Sequence, residues 1–209
     1  MSSSEDLRVI FVGNSQVGKT ALMNRYVDGE FTSTSQTTVN PIFTPKSAIS
    51  VSGKEIMMQL WDTAGQEKFQ ALSQVFYRDA HLAVICVDLS NPSTIDTISL
   101  WKDRVLAHEP SCALISVGTK LDLVFSEDRT KILNDLSQKS NECQIPSYYI
   151  TSSKTGEGIE DLFTQIATMG EEILSKKVDT SDNNKNVRIN DQQEGRAKPP
   201  TKPFDNCCN

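Results

Sequence analysis

The segment Gly13-Asn14-Ser15-Gln16-Val17-Gly18-Lys19-Thr20 has a glycine at either end of a short loop, followed at once by a lysine and a hydroxyl. It fits the pattern GxxxxGK[ST] and stands between a run that reads as a strand, 7–12, and one that reads as a helix from Ala21. The chemistry this suits is polyphosphate binding. Gly13 and Gly18 let the backbone turn so that successive N–H groups, through Ser15, Gln16 and Val17 and on to Ala21, can face an anion. The helix that follows adds the partial positive charge of its first turn. Lys19 is long enough to reach the β- and γ-phosphates, and the Thr20 hydroxyl is a ligand for Mg²⁺. These residues predict a P-loop NTPase, but they leave the base and the reaction open.

A second polar group follows the alternating run Ile56, Met58 and Leu60. Asp62 ends that strand, where a carboxylate would hold Mg²⁺ or its water. Gly65 can bring its N–H close to a γ-phosphate, and Gln66 can orient an attacking water. Lys19 and Gln66 are therefore the candidate catalytic side chains, and Thr20 and Asp62 the candidate metal ligands.

Together with the phosphate loop, Trp61-Asp62-Thr63-Ala64-Gly65-Gln66-Glu67 resembles the small GTPases of the Ras superfamily. Tyr26-Val27-Asp28-Gly29-Glu30-Phe31, Phe76-Tyr77-Arg78-Asp79-Ala80 and the double-cysteine end resemble its Rab branch, so the resemblance covers roughly 7–175 and the terminus. It implies GTP and GDP as ligands, with Mg²⁺. Gly118-Thr119-Lys120-Leu121-Asp122 is similar to the family's [NT]KxD segment, whose carboxylate accepts from guanine N1–H and the exocyclic amine. Two N–H groups facing one carboxylate make a bidentate, charge-assisted pair, and adenine presents the opposite pattern. The Lys120 stem would lie along the base. Thr151-Ser152-Ser153-Lys154 is similar to the family's [ST]AK segment, with Ser153 in place of Ala, and its backbone N–H would donate to guanine O6. By the same resemblance Phe31 packs against the guanine. Thr38, or its neighbour Thr37, takes the switch position that joins Mg²⁺ only with GTP bound. The implied partners are an exchange factor, a GTPase-activating protein, effectors and a prenyl-binding escort or GDI.

The chain also departs from the family. Thr119 stands where most Rabs have Asn, which resembles the Rho branch and should weaken a loop-bracing hydrogen bond while leaving base choice intact. The terminus and the segment 26–31 favour Rab over a Rho or Ras signalling GTPase. Val39-Asn40-Pro41-Ile42-Phe43 replaces the usual IGVDF. Pro41 removes an N–H and fixes φ. Common Rab effectors are thus placed in doubt, and a nucleotide-locked adaptor that binds one partner without cycling is the rival expectation. The predicted order–disorder segments are 34–43 and 65–77.

Cys207-Cys208-Asn209 lacks the spacing of a CaaX box and resembles the Rab endings that carry two geranylgeranyl groups. One lipid binds membranes reversibly and two bind stably. The basic residues from Lys176 to Lys202 alternate with acids, so a polybasic switch is not expected. An endomembrane's cytoplasmic face, in exchange with cytosol, is the expected location. Composition shifts after Lys177 to Asp, Asn, Lys, Gln, Gly and Pro, which predicts a globular domain over 1–177 and an unstructured tail over 178–209.

The elements that must position these residues alternate. Buried runs at 82–87, 113–117 and 147–151 interleave with helical patterns. One carries Ile95, Ile98, Trp101 and Val105 behind a Ser93 cap; others carry Ile132 and Leu136, then Ile159, Leu162, Phe163, Ile166 and Ile173. With the hairpin 43–60 they predict an α/β fold, a P-loop NTPase G domain. Its sheet is six-stranded and mostly parallel, with one antiparallel edge strand and helices on both faces. The 209 residues carry a net charge of −6 and five cysteines, three of them far apart. The acidic balance argues against nucleic-acid binding, and the odd, scattered cysteines argue against a disulfide framework. His81 and His108 form no ligand cluster with Cys86 or Cys112, and Cys86 and Trp101 read as core. There is no signal-peptide pattern, Ser2 excludes myristoylation at glycine, and no apolar run approaches the ~20 residues needed to span a bilayer. A monomer is expected.

Overall fold

A computed structural model describes residues 6–32, 42–62 and 77–190. The strands are β1 (Leu7–Val12), β2 (Ile42–Ile49), β3 (Glu55–Asp62), β4 (Leu82–Asp88), β5 (Ala113–Thr119) and β6 (Tyr148–Ile150). They form one sheet in the order β2-β3-β1-β4-β5-β6. Only β2 runs antiparallel, against β3, with Phe43 opposite Trp61 and Ile49 opposite Glu55. The other pairings are parallel, and β1 lies between β3 and β4. This is the mixed α/β architecture that the alternation of strand and helix patterns predicts. β4 is buried along its whole length, which is why its sequence is apolar without alternation from Leu82 to Val87.

The described helices are α1 (Lys19–Asp28), α2 (Ile98–His108), α3 (Ser126–Glu142) and α4 (Ile159–Asn190). Because side chains alternate across a strand, β1 serves two cores. Ile10 and Val12 join Ile85 and Val87 of β4 under Ile98, Trp101 and Val105 of α2 and Ile132 and Leu136 of α3. Phe11 points to the other face and meets Phe163 of α4, which stacks on Tyr26 of α1 with ring centroids 3.5 Å apart. The β2–β3 turn is tied to α4 as well. The hydroxyls of Ser50 and Ser52 both donate to Glu171 Oε2, at 2.8 and 2.7 Å, and hold its carboxyl below the usual range.

Two expectations change. Ser93 does not cap α2. Pro92 opens a 3₁₀ segment, Pro92–Thr97, that precedes it, and the Ser93 hydroxyl donates to Asn91 Oδ1. Proline favours a first helical position and supplies no N–H, so the tighter turn begins there. The second change concerns residues beyond Lys177. The chain divides into two compact units, Met1–Ile173 and Leu174–Asn209. Helical backbone continues to Asn190, past the point where composition predicts an unstructured tail. Neither Gly nor Pro occurs between Gly170 and Gly195 to stop it. No described helix is long and apolar enough to cross a membrane.

Candidate nucleotide site

The phosphate loop joins the end of β1 to the start of α1. Three of its residues hold positive φ: Gly13 (146°), Gln16 (65°) and Gly18 (99°). Gly13 is required for space as well as conformation, since a Cβ there would lie 2.3 Å from the backbone oxygen of Cys86 on β4. Gln16 adopts a left-handed conformation that side chains other than glycine rarely take, and it is exposed. Ser15 and Ala21 are half-buried and Val17 is buried. Lys19 is buried beneath the loop, where its ammonium donates to the carbonyls of Gly13 and Asn14, both at 2.8 Å. Burial pulls its pKa below the usual lysine value, opposed by the charge of Asp62. An arriving phosphate would supply the counter-charge.

Thr20, in the first turn of α1, and Asp62, the last residue of β3, come from segments 42 positions apart. The Thr20 hydroxyl donates to Asp62 Oδ2 at 2.5 Å. Parallel pairing of β1 with β3, Phe11 opposite Asp62, brings the carboxylate to the level of the loop. A hydroxyl and one carboxylate are hard oxygen donors of the kind Mg²⁺ takes from a protein when phosphate and water complete its octahedron. The pair therefore fits the ion. No cluster of three or more His, Cys, Asp or Glu occurs among the described residues.

The base loop follows β5. Thr119 is buried, and its hydroxyl lies within hydrogen-bonding reach of the Val17 carbonyl in the phosphate loop and the Val87 carbonyl of β4 (2.9 Å to Val87). One hydroxyl proton serves only one of the two oxygens at a time, so Thr119 braces the loops with a single hydrogen bond. Lys120 takes a left-handed conformation, φ 59°, and its ammonium pairs with Asp88 Oδ2 at 2.7 Å. Its stem passes beside Gly18, where an added Cβ would come within 3.9 Å of Lys120 Cε. Asp122 is half-buried, and its Oδ1 accepts from the Ser152 hydroxyl at 2.6 Å, which leaves the second oxygen for other donors. Ser152 also accepts from the Thr155 N–H (3.1 Å) and closes a turn in which Gly156 N–H donates to its carbonyl. Ser153 is buried and Lys154 exposed.

The structure thus brings Gly13–Thr20, Asp62, Thr119–Asp122 and Ser152 into one connected set. Phe31 stands beyond the end of α1, 38% exposed. Thr38, Gly65, Gln66, Cys207 and Cys208 lie outside the described residues, as do Thr37 and Pro41. Three contributors were not assigned to the site from sequence: Asn14, Asp88 and Trp101. Asp88 had a visible signal, a carboxylate ending an apolar strand. Trp101 is core as expected, 4% exposed, yet its indole also donates to Asn14 Oδ1 at 2.8 Å. Cys86 is core too, with its thiol pushed up to about 12 by burial. The histidines have ordinary tasks: His81 Nδ1 accepts from the Arg8 N–H, and His108 stacks on Tyr77.

Comparison with known proteins matches this arrangement. The Ras family matches residues 8–172. The chain is similar to the Ras-related protein Rab-24 of Dictyostelium discoideum, 35% identical over 78% of this chain and 79% of that one. It is similar to the Ras-related protein Rab7 of Drosophila melanogaster, 33% identical over 96% and 95%. It is also similar to the Ypt/Rab-type GTPase Rab7 of Gibberella zeae, 32% identical over 91% and 96%. With its phosphate loop, carboxylate and base loop assembled on this sheet, the chain belongs to the Ras family, as a small GTPase of the Rab branch that hydrolyses GTP to GDP.

Proposed function

We propose that this protein is a membrane-tethered guanine-nucleotide switch of vesicle traffic, which holds GDP or GTP with Mg²⁺ and hydrolyses GTP slowly on its own. The observation that carries the reading is the hydrogen bond between Thr20 and Asp62, with the Lys19 ammonium near enough to feel the Asp62 charge. The phosphates sit on the loop Gly13–Ala21, and Lys19 faces the β- and γ-oxygens where charge grows as the bond to the leaving oxygen breaks. Thr20, Asp62 and, with GTP bound, Thr38 would hold Mg²⁺, which would supply positive charge against the developing negative charge of the phosphates. Gln66 orients the water that attacks the γ-phosphate in line. Asp122 selects guanine, buttressed by Ser152; Lys120 lines the base on one side and Phe31 covers the other, and backbone at Ser153 and Lys154 meets O6. No Arg finger in cis is assignable among the described residues, and a partner supplies acceleration on the order of 10³–10⁵.

Residues 1–177 form the switch and 178–209 the tether, with geranylgeranyl groups on Cys207 and Cys208. The protein works as a monomer on the cytoplasmic face of an endomembrane and cycles through the cytosol with an escort or GDI. An exchange factor loads it, a GTPase-activating protein resets it, and effectors read the segments 34–43 and 65–77. Single-turnover hydrolysis of bound GTP tests the scheme. The wild type should convert GTP to GDP, and Gln66→Leu should slow the conversion while leaving nucleotide affinity intact. An equal rate in both removes Gln66 from the mechanism; no conversion by the wild type favours the locked adaptor.

A further inference from the structure

Asn14 stands at a position that the pattern GxxxxGK[ST] leaves open, and Trp101 lies 87 positions away on α2, yet their side chains meet at 2.8 Å. An indole N–H only donates, so the Asn14 oxygen, not its nitrogen, faces the ring. Trp101 is 4% exposed, and the Arg104 guanidinium covers its ring at 4.8 Å from the centroid. The bond therefore lies where water competes little. The Asn14 backbone carbonyl is one of the two acceptors that aim the Lys19 ammonium. Holding the Asn14 side chain restrains that carbonyl.

The same stretch of chain grips the base loop at its other end. Asp88 pairs with Lys120, and the Asp88 N–H donates to the Thr94 hydroxyl at 2.9 Å. That hydroxyl also lies 2.8 Å from the Asn91 carbonyl, which fixes the turn leading through the 3₁₀ segment into α2. The segment from Asp88 to Trp101 is thus a bracket, with one end on the base loop and the other on the phosphate loop. We propose that Trp101 is a positioning residue for the phosphate loop, acting through the Asn14 side chain, and thereby sets how long a nucleotide is retained. The inference rests on the guanine-nucleotide reading above and adds a route from α2 to the phosphates.

The test is the release rate of N-methylanthraniloyl-GDP from the full chain in Mg²⁺, chased with excess GDP. Trp101→Phe keeps an aromatic ring and removes the N–H; Asn14→Ala removes the acceptor. Each should speed release by roughly two- to tenfold, the range of one hydrogen bond. The double variant should release no faster than the faster single, because both delete the same bond. A merely structural tryptophan predicts factors that multiply, with acceleration tracking lost thermal stability. Should Trp101→Phe fail to fold, Asn14→Ala alone decides. It should both speed release and shift the indole N–H resonance of Trp101. Wild-type release from Asn14→Ala, or multiplying factors in the double variant, overturns the proposal. A wild type that takes up no guanine nucleotide fails the underlying reading instead, a result seen before any variant is made.

Discussion

Asp122 is the residue we propose selects the base, and its surroundings would let one atom decide the choice. The Ser152 hydroxyl occupies Oδ1 and fixes the carboxylate's orientation, so the second oxygen is presented in a set direction. Asp122→Asn keeps an oxygen for Ser152 and replaces the other acceptor with an N–H₂ donor. Guanine then meets donor against donor, whereas xanthine offers a carbonyl at that position. Guanine nucleotide affinity should fall by at least about tenfold, the low end for one lost hydrogen bond to a charged group. Xanthine nucleotide should gain correspondingly in a competition assay. Retained guanine preference would show that Asp122 does not contact the base.

At the scale of elements, α4 anchors the sheet face that carries α1 and hence the phosphate loop. Phe163 is fully buried, packs on Phe11 of β1 and stacks on Tyr26 of α1, whose hydroxyl donates to the Ser47 carbonyl of β2 at 2.8 Å. Phe163→Ala should cost about 3–5 kcal/mol of folding stability, measured by denaturant unfolding; a loss below about 1 kcal/mol would contradict this packing. Elements of this kind are legible in sequence because burial imposes a period: Phe163 stands on the stripe with Ile159, Leu162 and Ile166, and all four are buried. The phosphate loop and the base segment were legible because their residues are contiguous. The Asn14–Trp101 and Lys120–Asp88 contacts were not, since each joins positions far apart that no local pattern links. The 3₁₀ entry to α2 was missed for a different reason: Ser93 offers a helix-capping hydroxyl, but Pro92 before it already occupies a first-turn position.

In the whole molecule, the proposed lipid tether would hold the folded switch on a membrane. Two lipids hold a protein on a membrane stably and one does not. Replacing both Cys207 and Cys208 by Ser should therefore move the protein from the membrane pellet to the cytosolic fraction; attachment unchanged by that double replacement would contradict lipid tethering. The sheet order places β1, the origin of the phosphate loop, between β3 with Asp62 and β4, and puts β5 with the base loop next to β4. Whether this arrangement holds a guanine nucleotide can be read from the nucleotide content of the purified full chain. Protein prepared in Mg²⁺ and then denatured should release close to one guanine nucleotide per chain, as GDP or a mixture of GDP and GTP. Release of adenine nucleotide, or of none, would contradict guanine-nucleotide binding, and GTP alone would contradict a cycle of hydrolysis.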